Sequence, residues 1–296
     1  MLNIALFISG RLLSCHKECL LPFVTMLKQK YNVFVFFSIN SFSLDKDTNL
    51  ELLISDVKTT FGETFGDIYF EEYKFPKSYV EMRINNKILD ANNIQINPFS
   101  SYNSLSCFYN DNKNMELIEK FEKNNNILFD IICKTRSDII VVNNDFDFIL
   151  DYPNELVIRN KHMQDIRFWG HFYNDTPLMI SDSFVYGNKI SMKHYCSTYE
   201  WILQNDLLLK GYYSHAGEIY LTDSILQHVF YKIPRGEHEP SLSKEQIIDK
   251  YINNPKGIKI VTLTKDDIDY YLLPNEIRHK NNFIVDINNV FEYTQI

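Results

Sequence analysis

The sequence predicts an α/β fold with a central, mostly parallel mixed sheet flanked by helices. Three observations predict it. Residues 2–9 form an almost unbroken apolar run that ends in Ser9-Gly10-Arg11, the pattern of a strand buried on both faces and closed by a tight turn. A helical stretch and a second apolar, β-branched run follow within about 40 residues, and a strand–turn–helix–strand unit of that length is a right-handed parallel βαβ unit. The segment Phe-Asp-Ile-Ile-Cys-Lys-Thr-Arg-Ser-Asp-Ile-Ile-Val-Val, ending at residue 142, holds the strongest strand signal in the chain.

Taken in order, residues 2–9 are the first strand. Residues 16–30 are a helix, with Cys19, Leu20, Phe23, Val24 and Leu27 at helical spacing and basic residues at its end, where they suit the helix dipole. Residues 33–39 are the second strand. Residues 45–61 are expected to be a helix and 67–73 a third strand. Residues 77–106 have weak periodicity, many Asn, and the breakers Pro98 and, just before them, Pro76; they read as a long loop with a short helix, a kind of segment that often carries function. A helix is expected over 112–125, then one strand over 130–142 interrupted by polar residues at 134–138. Strands at 155–159 and 179–186 come next. A helix over 191–204 with Ser191 as N-cap follows, then a helix over 218–231. Ser243 and Gln246 form a capping-box pattern that opens a helix to 253. Late strands are expected at 258–263 and 283–287. With neither repeats nor a linker, one domain is expected over 1–296: a nucleotide-binding half to about residue 142, then an acceptor half with a C-terminal extension.

Composition narrows the function. Hydrophobic residues make up 45% and charged residues 23%, which is the balance of a globular chain and excludes a disordered one. The 19 Tyr and 22 Phe supply both a core and stacking surfaces for a base or sugar ring. The net charge of −8 comes with no basic run, so nucleic acid is not an expected partner. The abundant Asn is read as coding bias and given no function. Cys15, Cys19, Cys107, Cys133 and Cys196 are odd in number and scattered, and are expected as free thiols of a reducing compartment. No stretch approaches the roughly 20 apolar residues of a membrane span, and the N-terminus lacks a signal-peptide pattern. A cytoplasmic protein with no integral membrane segment is expected.

Several groups carry the chemistry. Ser9-Gly10-Arg11 follows the first strand, where ligands of open α/β sheets bind; Gly10 permits close backbone approach and Arg11 can pair with a phosphate. The alternative is an ordinary turn with a solvated Arg. Lys134, Arg136 and Asp138 interrupt an apolar strand, and unpaired buried charges cost several kcal/mol. They must pair with one another, meet a ligand, or emerge at a strand end. Asp138 could hold Mg²⁺ or Mn²⁺ against a diphosphate; an internal Arg136–Asp138 salt bridge is the alternative. Asp182, before a Gly turn, is a candidate general base, or a turn cap. Glu218, in His215-Ala216-Gly217-Glu218 ahead of Asp223, is a second candidate, or is explained by the helix dipole. His238 lies in a polar loop and is a candidate metal ligand or phosphate contact; an exposed loop histidine with no such role is the alternative. His162, Arg167, Trp169 and His171 interleave polar and aromatic groups as a sugar-binding loop does; an aromatic cluster under a loop is the alternative.

The ordered set Ser-Gly-Arg-Leu-Leu-Ser-Cys after the first strand, Ser-Leu-Ser-Cys-Phe-Tyr-Asn at 104–110, Phe-Asp-Ile-Ile-Cys-Lys-Thr-Arg-Ser-Asp-Ile, Ser-Asp-Ser-Phe-Val-Tyr-Gly at 181–187 and the Gly-Glu helix start resembles the GT-A-type glycosyltransferases of lipopolysaccharide and capsular polysaccharide synthesis, and their relatives in large DNA viruses. The resemblance spans residues 2–231. It implies a Rossmann-type nucleotide-binding half and a mixed-sheet acceptor half. It also implies a nucleotide-sugar donor, a glycan acceptor, and Mn²⁺ or Mg²⁺. Ser9, Gly10, Arg11, Lys134 and Arg136 are then expected near the donor nucleotide, Asp138 and His238 at the metal, and Asp182 and Glu218 as candidates for the base of an inverting reaction. The family's usual motif has two aspartates flanking one residue. Here Arg136 stands in the first position, where it can itself neutralise diphosphate charge. If the chain is viral, its compartment is the host cytoplasm. A catalytically inactive nucleotide- or glycan-binding module and a sugar phosphotransferase are the alternatives.

Overall fold

The computed structural model describes residues 1–9, 12, 16–40, 48–71, 98–141, 155–160, 180–205, 221, 224–225, 259–263 and 270–272. Its strands are β1 (Asn3–Ile8), β2 (Asn32–Asn40), β3 (Phe65–Glu71), β4 (Ile131–Thr135), β5 (Ile139–Val141), β6 (Glu155–Asn160), β7 (Ile180–Gly187), β8 (Lys259–Leu263) and β9 (Tyr270–Leu272). Its helices are α1 (His16–Lys28), α2 (Leu50–Phe61), α3 (Pro98–Asn125), α4 (Lys189–Cys196) and α5 (Thr198–Gln204).

Among the described residues, seven strands form one mixed sheet in the order β3-β2-β1-β4-β7-β6-β8. β3, β2, β1 and β4 run parallel. β7 lies antiparallel to β4 and to β6, and β8 returns parallel to β6. The sheet therefore takes strands from both sides of residue 142. α1 and α2 cover one face, where Leu20, Phe23, Val24, Leu27, Val57 and Phe61 pack on Leu6, Val35, Phe37 and Cys133. α3, α4 and α5 cover the other, where Phe108, Ile118, Met192, Tyr195 and Ile202 pack on Phe7, Phe36, Ile132 and Val185. Burying one such Phe is worth about 1.5–3 kcal/mol. These opposed layers explain why β1 reads as an unbroken apolar run: it is buried from both sides.

Local signals set several element ends. Asn49 caps α2, its side chain accepting from the Leu52 amide. Gly62, at φ 49°, closes the same helix in a conformation costly to a side chain. β3 carries an extra residue against β2, because Val35 pairs with Phe65 and Phe36 with Asp67. Gly66 fills this bulge, and a Cβ there would stand 2.7 Å from the Phe36 ring.

Four sequence expectations need correction. Of the loop with a short helix expected over 77–106, residues 77–97 lie outside the described residues, and 98–106 belong not to a short helix but to α3, one 28-residue helix that starts at Pro98, a favoured first helical position. Its periodicity is weak because part of its inward face is polar. Residues 130–142 are not one strand. β4 ends at Thr135, opposite Ile8 at the end of β1, the chain turns at Ser137 and Asp138, and β5 pairs with β9 in a separate two-stranded sheet. Residues 191–204 are two helices, and Asn188, not Ser191, is the cap; its side chain accepts from the Ser191 amide. β9 was not expected at all. The elements expected at 243–253 and 283–287 lie outside the described residues, as do most of 218–231, of which Leu221, Ser224 and Ile225 are helical. Among the described residues no helix is long and apolar enough to cross a membrane.

Candidate functional site

The carboxyl ends of β1, β2 and β4 lie side by side in the sheet, and polar residues begin there. Arg136 and Asp138 occupy the turn that leaves β4. Arg136 Nε donates to Asp138 Oδ1 and Nη2 donates to Asp138 Oδ2, each at 2.9 Å, a fork-to-fork ion pair. Asp182, at the start of antiparallel β7, brings Oδ2 to 3.8 Å from Arg136 Nη1. One guanidinium is thus bracketed by two carboxylates. Burial works against the Arg136 charge, but the hydrogen bonds and charge of Asp138, with the charge of Asp182, outweigh it and raise its pKa. The Asp138 side chain is 7% exposed, against 32% for Arg136 and 25% for Asp182, so the cluster keeps a solvent-facing side.

Of the open alternatives at 134–138, the internal Arg136–Asp138 pair is therefore the one observed, and it stands at a strand end. Lys134 corrects the expectation that it faces a ligand. Strand alternation turns it into the α3 side of the sheet, where it has no exposed surface. Lys134 Nζ donates to Asp111 Oδ2 at 2.7 Å and to Tyr195 Oη at 3.3 Å, with Cys107 Sγ at 3.8 Å. Burial opposes the ammonium charge, yet Asp111 and its other neighbours raise its pKa well above the usual lysine value. Burial raises Asp111, and Lys134 opposes that rise. Cys107, expected as a free thiol, is one, and burial lifts its pKa to about 12, with Lys134 opposing. Cys133 and Cys196 are free as well.

The pair belongs to a wider polar seam between α3 and the sheet. Asn114 Nδ2 donates to the Ile8 carbonyl at 2.9 Å and to Ser9 Oγ at 3.3 Å. Asn40 Nδ2 donates to Ser106 Oγ at 2.9 Å and to Asn110 Oδ1 at 3.1 Å. Ser38 Oγ donates to the same Asn110 oxygen at 3.2 Å. All of these side chains are buried. Ser9, expected at the donor nucleotide, turns its hydroxyl to α3. Three of the Asn residues read as coding bias are structural: Asn40 and Asn110 fasten the helix to the end of β2, and Asn114 fastens it to the end of β1. Sequence reasoning missed them, and missed Asp111 and Tyr195. The available signal was Ser106, Asn110 and Asn114 at i, i+4 and i+8, one face of a helix.

At the β3 edge, Glu71 accepts from the hydroxyls of Tyr69, at 2.7 Å, and Tyr109. The Tyr109 hydrogen bond is the main cause that holds the Glu71 carboxyl below its usual range, and burial opposes it. Gly10, Arg11, Glu218 and His238 lie outside the described residues, as do His162, Arg167, Trp169, His171, His215 and Asp223.

The donor set for a divalent cation is testable on this geometry. Mg²⁺ is commonly held by one or two carboxylates plus substrate phosphates, and Asp138 and Asp182 supply two. Both Asp138 oxygens accept from Arg136, so in this arrangement the carboxylate already holds a cationic group, the guanidinium. Among the described residues no group of three or more His, Cys, Asp or Glu converges. Compared with known proteins, the chain matches no family model and no curated protein.

Proposed function

We propose that this chain is a nucleotide-sugar-dependent glycosyltransferase that moves a sugar from its donor to a hydroxyl of a glycan acceptor. One observation carries the reading. Arg136, Asp138 and Asp182 converge from two separate segments at the carboxyl rim of the parallel strands, where open α/β sheets hold their ligands. The parallel β3-β2-β1-β4 half joined to the mixed β7-β6-β8 half supports it further, because the GT-A resemblance implies those two halves.

The roles follow from charge. When the bond between the anomeric carbon and the diphosphate oxygen breaks, negative charge grows on the leaving group, and Arg136 stabilises it. Asp138 orients Arg136 in the resting arrangement. Asp182 takes the proton of the acceptor hydroxyl as its oxygen bonds to the sugar. A divalent cation held by Asp138 would add positive charge beside the same diphosphate. The direct test offers a panel of nucleotide sugars, with Mn²⁺ and with glycan acceptors, and measures free nucleoside diphosphate. Donor-dependent release is expected. Absence of release across the panel refutes the reading.

A second reading has its own support. Arg136 and Asp138 close on each other through two hydrogen bonds, an arrangement that also suits a module binding nucleotide or glycan without turnover. Such a module shows a nucleotide-sugar thermal shift but releases no diphosphate even with acceptors present.

A further inference from the structure

A buried ion pair needs a reason beyond stability. Charges taken out of water recover little net free energy from each other, and an apolar pair of similar volume commonly serves a core as well. Lys134 and Asp111 have 0% and 1% side-chain exposure. They are not isolated: Tyr195 Oη accepts from the same ammonium, and the ammonium lies 5.2 Å from the centre of the Tyr195 ring. Lys134 is the next-to-last residue of β4. Arg136 and Asp138 follow directly. On the other side, Asp111 belongs to the α3 face whose Asn114 holds the end of β1 and whose Asn110 holds the end of β2. Among the described residues, Asn110 Nδ2, Asn114 Oδ1 and Thr135 Oγ1 are buried without a hydrogen-bond partner. Such buried polar atoms each call for an explanation, and here they cluster around the ion pair that joins α3 to β4.

We propose that Asp111 and Lys134, with Tyr195, are positioning residues: they lock α3 to the end of β4 and so fix where the Arg136–Asp138 turn stands relative to Asp182. None of the three touches the reacting atoms. They act through Arg136. This role rests on the glycosyltransferase reading for its kinetic consequence, but its geometric consequence can be measured without any turnover.

The experiment uses the full chain with Asp111→Leu and Lys134→Met together, which removes both charges and puts apolar side chains of similar length in their place. Two readouts are taken beside a melting curve. The first is the Arg136 Nε–H signal in ¹⁵N NMR, identified by its loss in Arg136→Lys. In the parent it should be sharp and slow to exchange, held by Asp138. In the double variant it should broaden or exchange rapidly while the melting temperature stays close to the parent's. The second is kinetics with the donor that the parent turns over. An ångström of misplacement costs about a hundredfold in rate, so kcat should fall by that order, while KM for the donor moves by less than about threefold. A merely structural pair would leave both the signal and kcat unchanged in a folded variant, and that result overturns the proposal. If the double variant fails to fold, Tyr195→Phe removes only the hydroxyl. It should raise Arg136 exchange and lower kcat several-fold, and a parent-like Tyr195→Phe protein overturns the proposal equally. If the parent turns over no donor, the glycosyltransferase reading fails, and the NMR signal still decides the positioning role.

Discussion

Removing one partner of the buried pair gives the sharpest stability prediction. In Lys134→Met the Asp111 carboxylate loses its 2.7 Å partner with 1% of its side chain exposed. Water cannot reach it to compensate. Breaking such a pair on one side costs about 3–5 kcal/mol, whereas replacing both sides by apolar groups is close to neutral. Unfolding entropy is about 2.1 cal/mol/K per residue, or roughly 0.6 kcal/mol/K for 296 residues. The single variant should therefore melt about 5–8 °C below the parent. The double variant with Asp111→Leu should recover to within about 1 kcal/mol of the parent. The assay is a double-mutant cycle by thermal and urea denaturation, with Asp111→Leu as the other single. Two results refute the reasoning. One is a Lys134→Met loss below about 1 kcal/mol, which means the ammonium is not paired in a dry site. The other is additivity, with the double variant losing the sum of the two singles.

Other expectations follow from the same geometry. Asp138→Asn should cut diphosphate release by about a hundredfold while circular dichroism stays unchanged; parent-like turnover would show that the chemistry lies elsewhere. Asp182→Asn should lower transfer to the acceptor far more than donor affinity, measured as kcat against a nucleotide-sugar Kd, and equal losses would rule out a proton-accepting role. Gly66→Ala pushes a Cβ to 2.7 Å from the buried Phe36 ring and should destabilise by about 1–3 kcal/mol in urea unfolding. Glu71 has its folded pKa held below its unfolded value, so its stabilisation is complete above the usual carboxylate range and is lost as pH falls through the folded pKa. Glu71→Gln should therefore lower stability at neutral pH and flatten the acid limb of the stability–pH curve.

How far the sequence could be read depended on where side chains face. The β1, β2 and β4 runs were legible because strands covered on both faces carry uninterrupted apolar residues. The Arg136–Asp138 pair was legible as one of a few options, because charges inside an apolar run must go somewhere. What they would choose was not legible. Lys134 pairs with Asp111, which lies 23 residues earlier on a helix, and no local pattern connects the two. α3 was half hidden for a related reason. Its inward Ser106, Asn110, Asp111 and Asn114 are polar, so an apolar periodicity could not reveal a face that is buried without being apolar. The break after Thr135 was hidden too: Ile139 and Val141 read as a continuation of β4, and only the partner strand Tyr270–Leu272 shows that they belong to another sheet.

The central claim is that Arg136 and its two carboxylates receive the donor's diphosphate. Its most direct measurement is equilibrium binding of uridine, guanosine, cytidine and adenosine diphosphates, with Mn²⁺, to the parent, Arg136→Ala and Asp138→Asn proteins. The account predicts that one of them binds the parent, stabilising it by about 2.7 kcal/mol at a hundred times its Kd, and that both variants lose most of that affinity. Binding of equal strength in all three proteins, or of no diphosphate to the parent, would contradict it.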